Sequence, residues 1–88
     1  TFYNACMDVF DAIPICALVD SRFLCMHGGL SPDLRTLADI ENLDRFQETP
    51  LSGPLCDLIW ADPREDFDQI NDQQPDFVAN NVRGCSYF

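Results

Sequence analysis

The amino-acid sequence predicts an α/β protein in which a short sheet is covered by helices. Apolar residues recur at helical spacing near the start, two apolar runs then flank a polar turn, and shorter helical patterns follow. Both faces of the two runs are mostly apolar, which is typical of strands covered on both sides. One hairpin with three or four short helices cannot supply that cover. We therefore expect an incomplete α/β domain, which additional polypeptide would complete.

The first two elements are a helix and a hairpin. Apolar spacing predicts a helix over residues 2–12, and Pro14 ends the pattern. Apolar runs at residues 15–19 and 22–27 predict two antiparallel strands. The Asp-Ser dipeptide between them is a weaker turn signal than Asn-Gly, but its two-residue length fits a hairpin.

Two short helices are predicted after the hairpin. Thr36 and Asp39 form a capping-box pattern ahead of a short apolar stripe, and Pro54 suits the first position of the next helix. An Asp-Pro dipeptide at residues 62–63 is expected to end that helix. Residues 64–76 are polar and acidic without a clear period. Because no repeat or boundary is found, residues 1–88 are expected to form one partial domain, the middle portion of a larger one.

Composition excludes two classes of partner. The chain has five basic residues, all arginines, against fifteen acidic ones, and a net charge of −10. Nucleic-acid binding requires clustered positive charge, so no nucleic-acid partner is expected. An anionic membrane surface is disfavoured for the same reason, and the longest apolar run is too short to span a bilayer.

Cysteine usage indicates a reducing compartment. The five cysteines are odd in number and include no C-x-x-C pair, and several lie within apolar patterns. No N-x-[ST] glycosylation site occurs. We therefore expect free thiols and a cytoplasmic location.

His27 is the one histidine of the chain, and it stands at the end of the second predicted strand, directly before two glycines. Ligands of α/β folds often bind at strand ends that lead into glycine loops. A neutral imidazole there could bind a metal, act as a base or satisfy a buried hydrogen bond. On position alone, the structural role is favoured because a single histidine identifies no metal site.

Arg83 and Trp60 each have two interpretations. Arg83 lies in a turn-like stretch beside Gly84, and its planar fork suits phosphate, although a surface salt bridge is the ordinary role in so acidic a chain. Trp60 could fill a core or line a substrate groove, and core packing is the commoner role.

Other site types find no support. The acidic residues between positions 62 and 72 lack the ligand spacing and the glycine of an EF-hand loop. Neither the G-x-x-x-x-G-K-[ST] nucleotide loop nor the G-x-S-x-G serine-hydrolase motif occurs.

Three ordered segments resemble the phosphoprotein phosphatases. Residues 23–32 read F-L-C-M-H-G-G-L-S-P and are similar to the H-G-G-L-S-P segment of that family. Residues 56–63 resemble its C-D-[LI]-[LI]-W-[SA]-D-P segment, and residues 81–84 resemble its N-x-R-G element. Residues 43–46, 65–67 and 83–88 are most similar to the calcineurin type, the calcium/calmodulin-regulated members.

The resemblance implies a metallophosphatase domain, with a central β-sandwich flanked by helices and two metal ions at one edge. It implies that His27 is a metal ligand, that Arg83 binds the phosphate and that Trp60 lines the substrate groove. Such enzymes hydrolyse phosphoserine and phosphothreonine esters with a water activated by two metals, iron with zinc or manganese. The implied partners are phosphoprotein substrates, a calcineurin B-type subunit and calmodulin.

The sequence also departs from the family pattern. The family's G-D-x-H-G, G-D-x-x-D-R-G and G-N-H-E segments do not occur, so this chain supplies at most one metal ligand. The segments that bind calcineurin B and calmodulin would lie beyond residue 88. We therefore expect the isolated chain to be inactive. The alternative is a truncated, non-catalytic module that binds other proteins through its acidic face or Trp60.

Overall fold

The computed structural model describes residues 1–65, 73 and 75–88. It contains three helices and two small antiparallel hairpins in its described parts. These elements are α1 (Phe2–Ala12), β1 (Cys16–Val19), β2 (Phe23–Met26), α2 (Leu37–Glu41), α3 (Pro54–Trp60), β3 (Val78–Ala79) and β4 (Ser86–Tyr87). The first five confirm the elements predicted from the sequence, whereas the second hairpin was not predicted.

The helix α1 begins and ends as the sequence predicts. Thr1 caps it, with its hydroxyl oxygen accepting a hydrogen bond from the Asn4 amide at 3.3 Å. The helix ends before Pro14, whose ring restricts the preceding residue to extended backbone. Phe2 and Phe10 remain exposed. The helix therefore carries an apolar surface that the described residues do not cover.

The first hairpin places residue 27 at the end of β2. Its register pairs Cys16 with Met26 and Val19 with Phe23. The turn residues Asp20 and Ser21 both have φ of 52°, and the Arg22 amide donates to the Val19 carbonyl at 3.0 Å. The register leaves residues 20–22 between the paired positions, one more than the two-residue turn that was predicted, and the two positive φ angles reverse the chain there. The hairpin prediction is thus confirmed, although both strands are slightly shorter than predicted.

Cover on both faces of this hairpin was also predicted. In β1 and β2, most side chains keep an exposed or half-exposed position, including Leu18, Val19 and Phe23. The described part of the chain does not supply the expected second layer.

The small core of the described residues is centred on α3. Pro54 occupies the first turn, and Gly53 precedes it with φ of 94°. Leu55, Cys56 and Leu58 are buried. The helix ends at Trp60, two residues before the predicted Asp-Pro stop, because Ala61 already has extended backbone.

The second hairpin packs the end of the chain beside α3. β3 pairs with β4 through Val78↔Tyr87 and Ala79↔Ser86. Asp62 forms a parallel bridge to Tyr87, with the Phe88 amide donating to the Asp62 carbonyl at 3.1 Å. Strands of two residues leave no period in a sequence, which is why this hairpin was missed.

Part of the acidic stretch lies outside the described residues. Positions 66–72 and 74 include most of the rejected EF-hand segment and part of the calcineurin-like stretch at 65–67. Within the described ranges, no helix has the length and apolar character needed to cross a bilayer.

Candidate active-site surface

The structure brings His27, Trp60 and Arg83 together, although they are far apart in the sequence. The ring centroids of His27 and Trp60 are 6.3 Å apart, with the rings nearly perpendicular at 87°. The Arg83 guanidinium carbon lies 5.2 Å from the centroid of the Trp60 ring. We call His27, Trp60 and Arg83 the indole cluster. The three side chains singled out from the sequence therefore share one surface.

His27 is aimed by the glycine loop that follows β2. The Gly28 amide donates to the Leu58 carbonyl at 2.9 Å, and the Gly29 amide donates to the Asp57 carbonyl at 3.2 Å. A Cβ on Gly28 would lie 2.5 Å from backbone atoms of α3. Only glycine permits this approach, which sets the imidazole beside the end of the helix.

The imidazole of His27 is exposed. Within the described residues the ring is accessible, and an accessible imidazole can bind a metal.

Trp60 is the last residue of α3, and its side chain is 46% exposed. The Trp60 side chain therefore does not belong to the small core of the described residues. Its backbone is nonetheless fixed, because the Cys85 thiol donates to the Trp60 carbonyl at 3.4 Å. The indole lies next to both the imidazole and the guanidinium.

Arg83 forms the salt bridge that the chain's acidity predicts. Its Nη1 lies 2.7 Å from Asp62 Oδ2, and both side chains are partly exposed. The turn that carries it is closed by Asn80 Oδ1, which accepts from the Val82 and Arg83 amides at 3.2 Å. Exposed pairs contribute only about 0–1 kcal/mol. Asp62 therefore orients the guanidinium. The ion pair is weak enough for an anion to compete with Asp62 for Arg83.

The described residues do not contain a complete metal site. Among them, no group of three or more histidine, cysteine, aspartate or glutamate side chains converges on one point. His27 fits the role of a single ligand. A two-metal centre needs further ligands from outside the described part of the chain.

Two cysteine thiols are unsuited to metal binding or nucleophilic chemistry at neutral pH. Burial raises the pKa of Cys56, and the neighbouring Cys85 and Asp57 raise it further, against an opposing effect of Arg83. Burial also raises the pKa of Cys16. Because the thiolate is the reactive form, these side chains act as apolar packing groups. All five cysteines of the chain are free.

Sequence reasoning missed one buried polar group beside the indole cluster. Asp57 is 3% exposed in the middle of α3. Its carboxylate accepts hydrogen bonds from Ser31 Oγ at 2.6 Å and from the Ser86 amide at 2.6 Å. A carboxylate flanked by Cys56 and Leu58 in an apolar helix is the signal that could have revealed it, because lone buried charges are costly.

These features agree with comparison against known proteins. The family model for calcineurin-like phosphoesterases matches residues 1–88. The chain belongs to the calcineurin-like phosphoesterase family. The mixed helix and strand structure accordingly represents part of a metallophosphatase fold, as the resemblance implied.

Curated proteins similar to this chain include serine/threonine phosphatases. Serine/threonine-protein phosphatase 2B catalytic subunit A1 of Saccharomyces cerevisiae is 41% identical over 97% of this chain and 16% of its own length. Serine/threonine-protein phosphatase 6 catalytic subunit of Caenorhabditis elegans is 57% identical over 68% of this chain and 18% of its own length. Because this chain is similar in sequence to both relatives, the comparison supports the phosphoprotein phosphatases as a group and does not single out the calcineurin type.

A solved structure gives the same fold. The structure of a protein serine/threonine phosphatase from S. cerevisiae, described as similar to human phosphatase PP5, matches with a TM-score of 0.75 and 30% identity. The match covers 98% of this chain and 24% of that chain. The chain thus spans less than a fifth of the curated relatives just named and about a quarter of this structure.

Proposed function

We propose that this chain is part of the catalytic domain of a metal-dependent protein serine/threonine phosphatase, which hydrolyses phosphoserine and phosphothreonine esters. The observation that carries the proposal is the convergence of His27, Trp60 and Arg83 on one exposed surface. Family membership and the names of the relatives support the same activity.

His27 is assigned as a ligand to one of two metal ions. Its imidazole is exposed at the end of a strand, and the glycine loop behind it is held to α3 by two backbone hydrogen bonds. A bound metal pair supplies Lewis acidity toward the phosphoryl group and an activated water. The other ligands are expected from segments of the parent protein outside this chain.

Arg83 is assigned to the phosphate. A guanidinium presents five N–H donors in a planar fork that matches phosphate oxygens, and one nitrogen is engaged by Asp62. The remaining donors are available to stabilise negative charge on the transferring group. Trp60 is assigned to the wall of the substrate groove, beside the guanidinium and the imidazole.

The finer assignment is a calcineurin-type parent located in the cytoplasm and regulated by a calcineurin B-type subunit and calmodulin. It is supported by the matches to yeast phosphatase 2B subunits A1 and A2, 41% and 40% identical over 97% of the chain. Residues 83–88, which resemble the calcineurin type, support it as well.

The proposal is tested by substitution in the parent protein, assayed with Mn²⁺ and a phosphoserine peptide. Arg83→Ala should lower kcat/KM by roughly 10²- to 10³-fold, because it removes donors that stabilise transition-state charge. Arg83→Lys should recover only a small part, since an ammonium lacks the fork. His27→Ala should raise the Mn²⁺ concentration needed for activity.

Arg22→Ala is the matched control, because Arg22 is an exposed arginine in the turn of the first hairpin. It should leave kcat/KM unchanged. Full activity of folded Arg83→Ala protein would contradict the assigned role. A wild-type parent without metal-dependent phosphatase activity would instead favour the non-catalytic binding module.

A further inference from the structure

The buried carboxylate of Asp57 lies behind the indole cluster and contacts none of its three side chains through a hydrogen bond in the described structure. Its two oxygens accept hydrogen bonds from two separate segments. Oδ2 accepts from Ser31 Oγ at 2.6 Å and from Ser86 Oγ at 3.3 Å, and Oδ1 accepts from the Ser86 amide at 2.6 Å. The carboxylate therefore joins the glycine loop after β2 to the first residue of β4.

The first of these segments, the glycine loop, directly follows His27. Ser31 ends the glycine loop that begins directly after the imidazole, and its side chain is 3% exposed. The backbone carbonyl of Asp57 also accepts from the Gly29 amide at 3.2 Å. A single residue of α3 thus holds the loop at two points, one through its main chain and one through its side chain.

The other segment, β4, directly follows the turn that carries Arg83. Ser86 lies three residues after Arg83, across the turn closed by Asn80. Its amide and its hydroxyl both donate to the Asp57 carboxylate. Because Trp60 stands on the same helix, one turn beyond Asp57, the carboxylate ties together the supports of all three cluster residues.

A carboxylate holds this pattern more strongly than a neutral side chain would, because hydrogen bonds to a charged acceptor are the stronger ones. A carboxylate offers acceptor sites on both oxygens, whereas the amide of asparagine offers one acceptor oxygen and one donor nitrogen. An asparagine in place of Asp57 could accept from the Ser86 amide through its one oxygen, but its nitrogen would meet the two hydroxyls only if both reversed from donors to acceptors. It would also lose the negative charge that strengthens all three hydrogen bonds.

We propose that Asp57 is a positioning residue that sets the distance between the metal-binding imidazole of His27 and the phosphate-binding guanidinium of Arg83. The inference rests on the proposed function, because it concerns the same surface. It adds that metal affinity and phosphate affinity are coupled through one buried side chain that touches neither ligand.

The test measures two binding constants in the full-length protein, each by calorimetry. Mn²⁺ is titrated into metal-free protein, and inorganic phosphate is then titrated at saturating Mn²⁺. Asp57→Asn should weaken both by about tenfold, the scale observed when a group supporting a metal ligand is removed. Asp57→Glu serves as the second variant, since it keeps both acceptor oxygens and should recover part of each affinity.

Ser31→Ala separates the effect on Mn²⁺ affinity from the effect on phosphate affinity. It removes the hydrogen bond to the His27 loop and leaves the Ser86 amide on Asp57 Oδ1. Mn²⁺ affinity should fall while phosphate affinity stays within about twofold of wild type, since an outer-shell change acts locally. A purely structural role for Asp57 would lower the melting temperature of the variants without producing this division.

Asp39→Asn is the matched control for loss of a carboxylate with backbone partners. Asp39 Oδ2 accepts from the Arg35 and Thr36 amides at 2.9 Å, away from the indole cluster. Its substitution should leave both binding constants unchanged.

Two outcomes overturn the inference in distinguishable ways. If wild-type protein binds Mn²⁺ and phosphate and folded Asp57→Asn binds both equally well, the inference fails alone. If wild-type protein binds neither, the proposed function fails and the inference fails with it. Selective loss of Mn²⁺ affinity in Ser31→Ala, with loss of both affinities in Asp57→Asn, supports the inference.

Discussion

At the residue scale, the closest packing around the indole cluster involves glycines. A Cβ on Gly29 would collide with the ring of Phe88, and a Cβ on Gly84 would collide with the Leu51 carbonyl. Gly84 also has φ of 77°, which L-residues rarely adopt. These positions let the His27 loop, the chain end and the Arg83 turn meet at α3, so the absence of side chains shapes the surface as much as the functional groups do.

Gly28→Ala tests this packing. A methyl group would approach the Ile59 carbonyl carbon and the Trp60 nitrogen to 2.5 Å, and backbone atoms cannot move aside as a flexible side chain can. We expect the free energy of unfolding of the full-length protein to fall by about 1–3 kcal/mol. Urea denaturation measures this change.

Ser52→Ala provides the comparison, because Ser52 is exposed before α3. Its effect should remain within about 0.5 kcal/mol. Equal stability of the Gly28→Ala and Ser52→Ala proteins would mean that the loop does not lie against the helix as described.

At the element scale, the short helix α2 depends on its capping box. The Thr36 hydroxyl accepts from the Asp39 amide at 3.2 Å, and the Asp39 carboxylate accepts from the Thr36 amide at 2.9 Å. A helix of five residues cannot offset the cost of nucleation by its own hydrogen bonds. The cap and the contacts of its apolar side therefore decide whether it forms.

This helix should lose stability in acid. Hydrogen bonds from the Arg35 and Thr36 amides lower the pKa of Asp39. Because the folded-state pKa lies below the unfolded value, the carboxylate stabilises the fold at pH values above the unfolded pKa. That contribution is lost as the pH falls through the folded pKa.

Amide exchange across α2 in the full-length protein measures the effect, as protection factors corrected for intrinsic rate. Protection should fall between pH 5 and pH 3 in wild-type protein. Asp39→Asn should show lower protection at pH 5 and little further change on acidification. Identical pH dependence in both proteins would contradict the assigned cap.

At the scale of the whole molecule, the chain is open. Its radius of gyration is 14.8 Å, against about 12 Å for a compact chain of this length. It exposes 6887 Å², whereas a compact protein of its mass exposes about 5,200 Å². The apolar residues buried within the described ranges are few: Leu55, Cys56, Leu58, Ala61 and Cys85.

The isolated chain should therefore fold marginally and bind metal weakly. Ordering a residue costs about 1.5 kcal/mol, which so small a core does not offset. We expect a broad thermal transition by circular dichroism. Mn²⁺ or Zn²⁺ should bind no more tightly than to a peptide with a single histidine, because the described residues hold no other converging ligands. A sharp cooperative transition, or tight binding of two ions, would contradict this expectation.

Several elements could be predicted because their causes are local. Three signals depend only on neighbours within a few residues. They are the helix stop at Pro14, the capping box at Thr36 and the proline at the start of α3. The first hairpin was predicted for the same reason, since its two strands are joined by a turn. The second hairpin was not, because its two-residue strands are separated by six residues and paired by tertiary contacts.

The functional surface divides in the same way. Sequence alone singled out His27, Trp60 and Arg83 as candidate site residues, because their types and order match the phosphatase segments. Only the tertiary structure showed that Asp62 orients the arginine, that Trp60 is exposed and that Asp57 joins the glycine loop to β4. The physical reason is that residue type is set at each position of the chain, whereas burial and hydrogen-bond partners depend on groups brought together from distant positions by folding.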